Sequence, residues 1–469
     1  MKKTEQKMRR GTTAAIIFML LTLPTGFLLR HSNAFPLSGD QTVLPPGTDF
    51  NEEAIYKPRE VFRSESLDGV KSYTVNLGNL AFNSNIILGD PARRAGMSCG
   101  TCHVNGAGNG KLYVPGLSAR PGTFDTTGPL FNPKAHNGLR DAVRIPSLRG
   151  ARYLAPYGND GRIASLREFV RNVIVNEFAG PEPSPTILDA IVAYIEDIDF
   201  LPNRYLASAP GGRLSARVAS DNELRGEAVF FRPFPRKPEL SCAACHIPSS
   251  GFVDHRQHNV GSGGLFKTPT LMNANFNTPY FHDGRFDSYD QVVEYFDGTF
   301  ELGLSAQDHA DLVAYLQMIG DGAQPYEPDP LGAAISEVDD FARVLETAIP
   351  AHDNDVIALA VHTVGGELRD LVEQFPGVKD TAVEGGIDQR LAARRELKDL
   401  VLLVRRIGVL AADGQYEAAA AEYQNYRNLI LKVSWVLKRA QRWSLFDPAV
   451  HEAHFTALRQ LLQFAQKKM

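Results

Sequence analysis

Every cysteine of the chain falls in one of two short stretches, SCGTCHVNG from Ser98 and SCAACHIPS from Ser241. Each holds Cys-x-x-Cys-His, so Cys99, Cys102 and His103 recur as Cys242, Cys245 and His246. Two thiols three residues apart on a helical turn reach the two vinyl groups on one porphyrin edge. The adjacent histidine can then swing its imidazole under the iron. This is the covalent attachment pattern of a c-type haem. Other chemistries demand more than the sequence offers. A thioredoxin-like redox pair needs βαβ surroundings, which neither copy has. A shared zinc site must bring together two pentads that lie far apart in the chain, and it leaves histidine over. Chance accounts for one match more readily than for two with no cysteine to spare. The expectation is two covalently bound haem c groups, with His103 and His246 as the iron ligands.

The elements that must position these groups are themselves repeated. RIPSLRGARYLAPYGNDGRIASLREFV (144–170) aligns without a gap with KTPTLMNANFNTPYFHDGRFDSYDQVV (267–293), at a constant offset of 123. Pro146/Pro269, Pro156/Pro279, Tyr157/Tyr280 and Asp160-Gly161-Arg162/Asp283-Gly284-Arg285 all match. Each copy ends in a helical pattern, PTILDAIVAYIEDIDF and SAQDHADLVAYLQMIG, with apolar residues at three- and four-residue spacing. Two homologous haem domains are therefore expected at 61–205 and 220–325, joined by a linker at 206–219. From His103 to Pro146 the chain runs almost twice as far as from His246 to Pro269. The surplus is a Gly-rich loop at the first haem, and long loops inside compact domains are usually functional.

The N-terminal segment 1–34 differs from the rest. MKKTEQKMRR carries five basic side chains, the apolar run TTAAIIFMLLTLPTGFLL follows, and Ser32 and Ala34 have signal-peptidase spacing. Residues 1–34 read as a signal peptide or a retained N-terminal anchor, a possible membrane tether; in either case the body is exported, to the periplasm. Residues 35–60 read as an extended, Pro-rich lead-in. Over all 469 residues, 43% hydrophobic and 22% charged residues suit several globular domains. A formal charge of −5 gives no reason to expect nucleic acid.

The segment 60–325, with its two pentads and FKTPTLMNANFNTPYFHDGR after the second, resembles the bacterial di-haem cytochrome c peroxidase family, which includes MauG. The resemblance implies an all-α fold with two class I cytochrome c-like domains in tandem. It implies reduction of hydrogen peroxide at the first haem, with electrons relayed by the second from a small c-type cytochrome or copper protein. MauG-like members instead oxidise a protein substrate. It also implies His136, in NPKAHNGLRDAVRIPSL, as a releasable sixth ligand of the first haem; a solvated loop histidine is the other reading. The distal acid–base glutamate of the family has its nearest counterpart in Glu177 of IVNEFAG, two positions short of the usual spacing. Glu182 lies three positions beyond the family position, and an exposed helix-end glutamate is the alternative for Glu177.

Three departures from the family pattern bear on function. Asn159 stands where the family has Trp before the first Asp-Gly-Arg; Trp435 and Trp443 both lie near the C-terminus. Phe296, counted from His282 of YFHDG, stands where Met or Tyr would ligate the second haem. Its neighbour Tyr295 would serve only with the helix turned by about 100°. Arg144 replaces the Asn whose side chain binds a bridging calcium ion, leaving the carbonyls of Asn277 and Pro279. A guanidinium there argues against calcium and suits an internal charge substitute or a haem-propionate partner.

From 331 to 469 the chain is Ala/Leu/Glu/Arg-rich and helical in period, a bundle of four or five helices that docks on the haem unit or binds a partner. His451 and His454 share a helix face there, as a ligand pair or as ordinary helix surface. Three functional readings remain: a peroxidase, a di-haem electron-transfer protein without peroxide chemistry, and a MauG-like oxidase of a large substrate.

Overall fold

A computed structural model of the chain describes residues 44–50, 54–63, 71–132, 134, 136, 138–206, 219–377, 383 and 385–466. The segment 1–34, and with it the leader or anchor, lies outside these residues. The described chain is mostly helical, as expected, with two short two-stranded ribbons.

Each half is built on one crossing of two helices. In the first, α1 (Tyr73–Phe82) packs across α2 (Pro185–Asp197). Both start at serine caps: the Ser72 and Ser184 hydroxyls accept from the amides of Val75 and Ile187, and Pro185 opens α2, where its missing N–H is harmless. In the second half, α3 (Asp221–Phe231) crosses α5 (Ala306–Ile319), while α4 (Tyr289–Phe300) packs alongside α5.

The crossings are made close by one glycine each. A Cβ on Gly78 would sit 1.9 Å from the Ala190 carbonyl oxygen and 2.8 Å from Tyr194 Cβ. On Gly226 it would sit 1.9 Å from the Asp311 oxygen and 2.8 Å from Tyr315 Cβ. The duplication in sequence is thus a duplication of packing. Gly226→Ala is expected to destabilise by about 3 kcal/mol, the upper range for overpacking, because a backbone oxygen cannot step aside. Gly298→Ala, in α4 with open space around it, should be neutral or gain up to ~1 kcal/mol of helix propensity. Urea unfolding of the two variants separates the cases, and equal midpoints would refute the close crossing.

The repeats also wire into one another. Ribbon β1 (Thr123–Phe124) and β2 (Val143–Arg144) has Thr123 opposite Arg144; β3 (Gln257–His258) and β4 (Phe266–Lys267) has Gln257 opposite Lys267. The Arg144 amide donates to the His282 carbonyl at 2.8 Å, and the Lys267 amide to the Asn159 carbonyl at 3.0 Å. These are equivalent bonds under the shift of 123, exchanged between the two repeats.

The C-terminal region forms α6 (Pro330–Arg343), α7 (Asn354–Glu373), α8 (Ile387–Ala412), α9 (Tyr416–Ala440) and α10 (Pro448–Gln466). It docks on the first half. Lys57 pairs with Glu337, Lys71 with Asp340 at 3.2 Å, and His362 meets Asn85 at 2.6 Å. One continuous apolar core runs from α1 and α2 into α6–α9, whereas the second half has a core of its own. His451 is buried with its ring 4.4 Å from Phe455, so it is not helix surface.

Candidate haem-binding site

Both pentads form the same local structure. Cys99–Cys102 and Cys242–Cys245 are single helical turns, and in each the histidine amide donates to the first cysteine carbonyl at 2.9 Å. At the first, Ser98 and Thr101 close a reciprocal cap, the Ser98 amide donating to Thr101 Oγ1 at 3.0 Å. The chain then leaves the helical conformation at His103 and at His246, which turns each imidazole inward. His103 Nδ1 lies 3.0 Å from the Pro146 carbonyl and His246 Nδ1 3.1 Å from that of Phe252. A carbonyl only accepts, so it fixes the proton on Nδ1 and leaves Nε2 as the metal-binding atom. Burial lowers both histidines, His103 to about 4, so each ring is neutral at ordinary pH. No disulfide is present: all four cysteines are free, and burial pushes the Cys99 and Cys242 thiols up to about 12.

All six pentad residues named above line one cavity of about 910 Å³, walled mostly by apolar groups including Phe82, Phe124, Phe230, Phe281 and Phe296. The donor set, the apolar walls and the neutral Nε2 atoms fit two covalently attached porphyrins and suit no other ligand class raised by the sequence. Cys245, Asp254 and His258 also lie within 4.8 Å of one another, with His258 Nε2 2.6 Å from Asp254 Oδ2. A thioether at Cys245 uses the sulfur of that group.

Glu177 also lines the cavity, although its spacing fits no family position. It ends a π-helical turn, Val173–Glu177, that continues the helix Leu166–Asn172. A π turn takes one residue more than an α turn and so re-aims the side chains beyond it. Glu177 Oε1 accepts from Arg162 at 2.5 Å and from Asn172 at 3.0 Å. The long first loop braces this turn: Asn132 Nδ2 donates to the carbonyls of Asn176 and Glu177, and the rings of Phe124 and Phe131 pack on Phe178. Glu182 is exposed, paired with Arg171 and absent from the cavity wall. His136 is exposed on its loop and outside the cavity wall, so Glu177 shares the cavity lining with the pentads and His136 does not.

The three departures each have a place. Asn159 Nδ2 donates to the Arg144 carbonyl at 3.1 Å within the first repeat, while its own carbonyl accepts from the Lys267 amide of the second. Phe296 lines the cavity, stacked on Phe300 at 6.0 Å. The Tyr295 hydroxyl donates to the Val260 carbonyl at 2.8 Å and does not reach the wall. Arg144 Nη1 donates to the Asn277 carbonyl at 3.3 Å. Sequence reasoning gave no functional role to Asn132, Arg162 or Lys267. The signal for Lys267 was present, since it opens the second aligned block as Arg144 opens the first.

A helical chain whose two Cys-x-x-Cys-His turns open on one apolar cavity is a protein of the di-haem c class. The family described as di-haem cytochrome c peroxidase matches residues 223–329, the segment that carries the second pentad and the second aligned block. It is 40% identical over 67 residues to methylamine utilization protein MauG of Methylorubrum extorquens, covering 13% of this chain and 19% of that one. It is 34% identical over 91 residues to cytochrome-c peroxidase IdrP1 of a Pseudomonas species, covering 15% and 24%. A longer similarity, 24% over 329 residues, links it to the hydrazine synthase gamma subunit of Kuenenia stuttgartiensis, covering 57% and 83%. The matched segments thus span less than a quarter of the first two relatives.

Proposed function

We propose that the chain is an exported di-haem c oxidoreductase that reduces hydrogen peroxide with electrons from a small c-type cytochrome or copper protein. The family match over 223–329 supports the reaction class, and the observation that carries it is Glu177, set in the wall of the cavity that holds both pentads. His103 and His246 would hold the irons, with Cys99, Cys102, Cys242 and Cys245 as thioether anchors. Iron held by His103 would supply the redox chemistry of O–O cleavage, with the two electrons coming from the donor protein. The balance is one peroxide, two electrons and two protons to two waters, and the protons are the protein's task. The Glu177 carboxylate takes the proton from the near peroxide oxygen and returns it to the far one, so that water leaves. Arg162 and Asn172 hold that carboxylate in place, and the aromatic walls keep bulk water away.

His136 takes part only through a movement of its loop toward the first iron. Asn159 and Phe296 favour a second reading, electron transfer without peroxide chemistry, since each removes a group that the resemblance assigns to the redox path. Steady-state oxidation of a reduced small cytochrome by peroxide separates the two; no turnover by the fully haem-loaded protein ends the peroxidase reading. Among the described residues, no helix is long and apolar enough to cross a membrane. Export therefore rests on segment 1–34, and mass analysis of the mature N-terminus tests it.

Calcium does not fit here. The Arg144 guanidinium already takes the Asn277 carbonyl that would face the ion. Addition of calcium or of a chelator is expected to leave the melting temperature and visible spectrum unchanged. A calcium-dependent rise in either would restore the ion.

A further inference from the structure

We infer that Arg144 and Lys267 are the counter-cations of the haem carboxylates, a repeat-related pair that holds the two cofactors at the junction of the halves and sets their potentials. This deepens the di-haem reading above and rests on it. The two residues are equivalent under the shift of 123 and stand opposite the partner strand in the two ribbons. Both line the cavity that both pentads share. Each side chain reaches into the other repeat: Arg144 Nη1 to the Asn277 carbonyl, and Lys267 Nζ to the carbonyls of Leu154 and Pro156 at 2.6 and 2.7 Å. Asn277 and Leu154 are again equivalent positions.

Carbonyl oxygens carry only partial charge, so they do not neutralise two cations brought together. Burial lowers Arg144 to about 10, and burial together with the Arg144 charge lowers Lys267 to about 8. Among the described residues neither forms an ion pair with a carboxylate. The acids along the cavity wall are engaged elsewhere: Asp125 accepts from Thr127, Asp160 and Glu177 accept from Arg162, and Asp141 is exposed. Two like charges in a mostly apolar cavity are unfavourable unless anions arrive with the ligand. A porphyrin joined through its vinyl groups brings two carboxylates on the remaining edge. Arg144 keeps N–H donors for them beyond the one on Asn277, and Lys267 keeps one beyond its two carbonyl bonds.

The test uses holoprotein from a host that matures haem c, with Arg144→Gln, Lys267→Gln and Arg144→Lys. Haem content is read as the pyridine haemochrome and potentials by optical redox titration. Removing positive charge favours the ferric state. Each Gln variant should therefore shift the one-electron equilibrium of at least one haem about tenfold toward oxidised, a fall of about 59 mV, while Arg144→Lys stays within about threefold of wild type. The inference is overturned if both Gln variants bind two haems at unchanged potentials, whatever their melting temperature; the pair would then be a tether only. If Arg144→Gln does not accumulate, Lys267→Gln decides by the same criterion. Wild-type protein without covalent haem would retire the di-haem reading itself.

Discussion

Glu177→Gln is expected to lower peroxide turnover roughly 10²- to 10⁴-fold, the usual worth of a positioned acid–base group. The substitution keeps the size of the side chain, and the amide oxygen still accepts from Arg162 and Asn172, so the π turn and its Asn132 brace should persist. What is lost is a group that can take and return a proton. The defect should sit in the rate with peroxide, leaving haem content and both redox potentials close to wild type. Glu182→Gln is the control, since Glu182 is exposed on Arg171 and away from the cavity; its turnover should match wild type. Stopped-flow measurement of peroxide reaction with the half-reduced protein reads the step directly. Equal rates for wild type and Glu177→Gln would remove Glu177 from the chemistry, and a defect shared with Glu182→Gln would assign the effect to stability.

That the sequence points to Glu177 at all, yet at the wrong spacing, shows which physics a sequence displays. The pentads are legible because covalent attachment dictates residue types and spacing, and the constant offset between repeats is legible because the two halves pack alike. Glu177 lies off the family position, and a π turn with one residue more aims it at the cavity. Helical periodicity does not reveal such a turn. A glycine inside a helix costs helix propensity, and only the opposing backbone at 1.9 Å explains Gly78 and Gly226. The change of composition near 331 marks a boundary in chain character, but the core of the first half runs through it into α6–α9. Burial partners that far apart in sequence leave no local trace. Arg144 and Lys267 could be aligned from the repeat, whereas their bonds into opposite halves needed three dimensions.

The second large effect concerns the iron on His246. Phe296→Met is expected to close an open coordination position there, lowering the carbon monoxide affinity of that reduced haem roughly hundredfold if the methionine is bound about 99% of the time. Phe296 lines the cavity from α4, and its neighbour Tyr295 is committed to the Val260 carbonyl. Of the remaining imidazoles of that wall, His258 faces Asp254 at 2.6 Å, and the ring of His282 is stacked on Phe266 at 3.6 Å. The wild-type iron should therefore bind carbon monoxide readily. A methionine is unbranched and flexible enough to bring its sulfur across the space vacated by the ring. Axial methionine also raises the potential, so the same variant should make the second haem the easier one to reduce. Carbon monoxide titration and optical redox titration read both effects on one sample. A wild-type protein in which both reduced haems refuse carbon monoxide would mean that another side chain moves to ligate the iron. The apolar wall at Phe296 would then say nothing about the electron path.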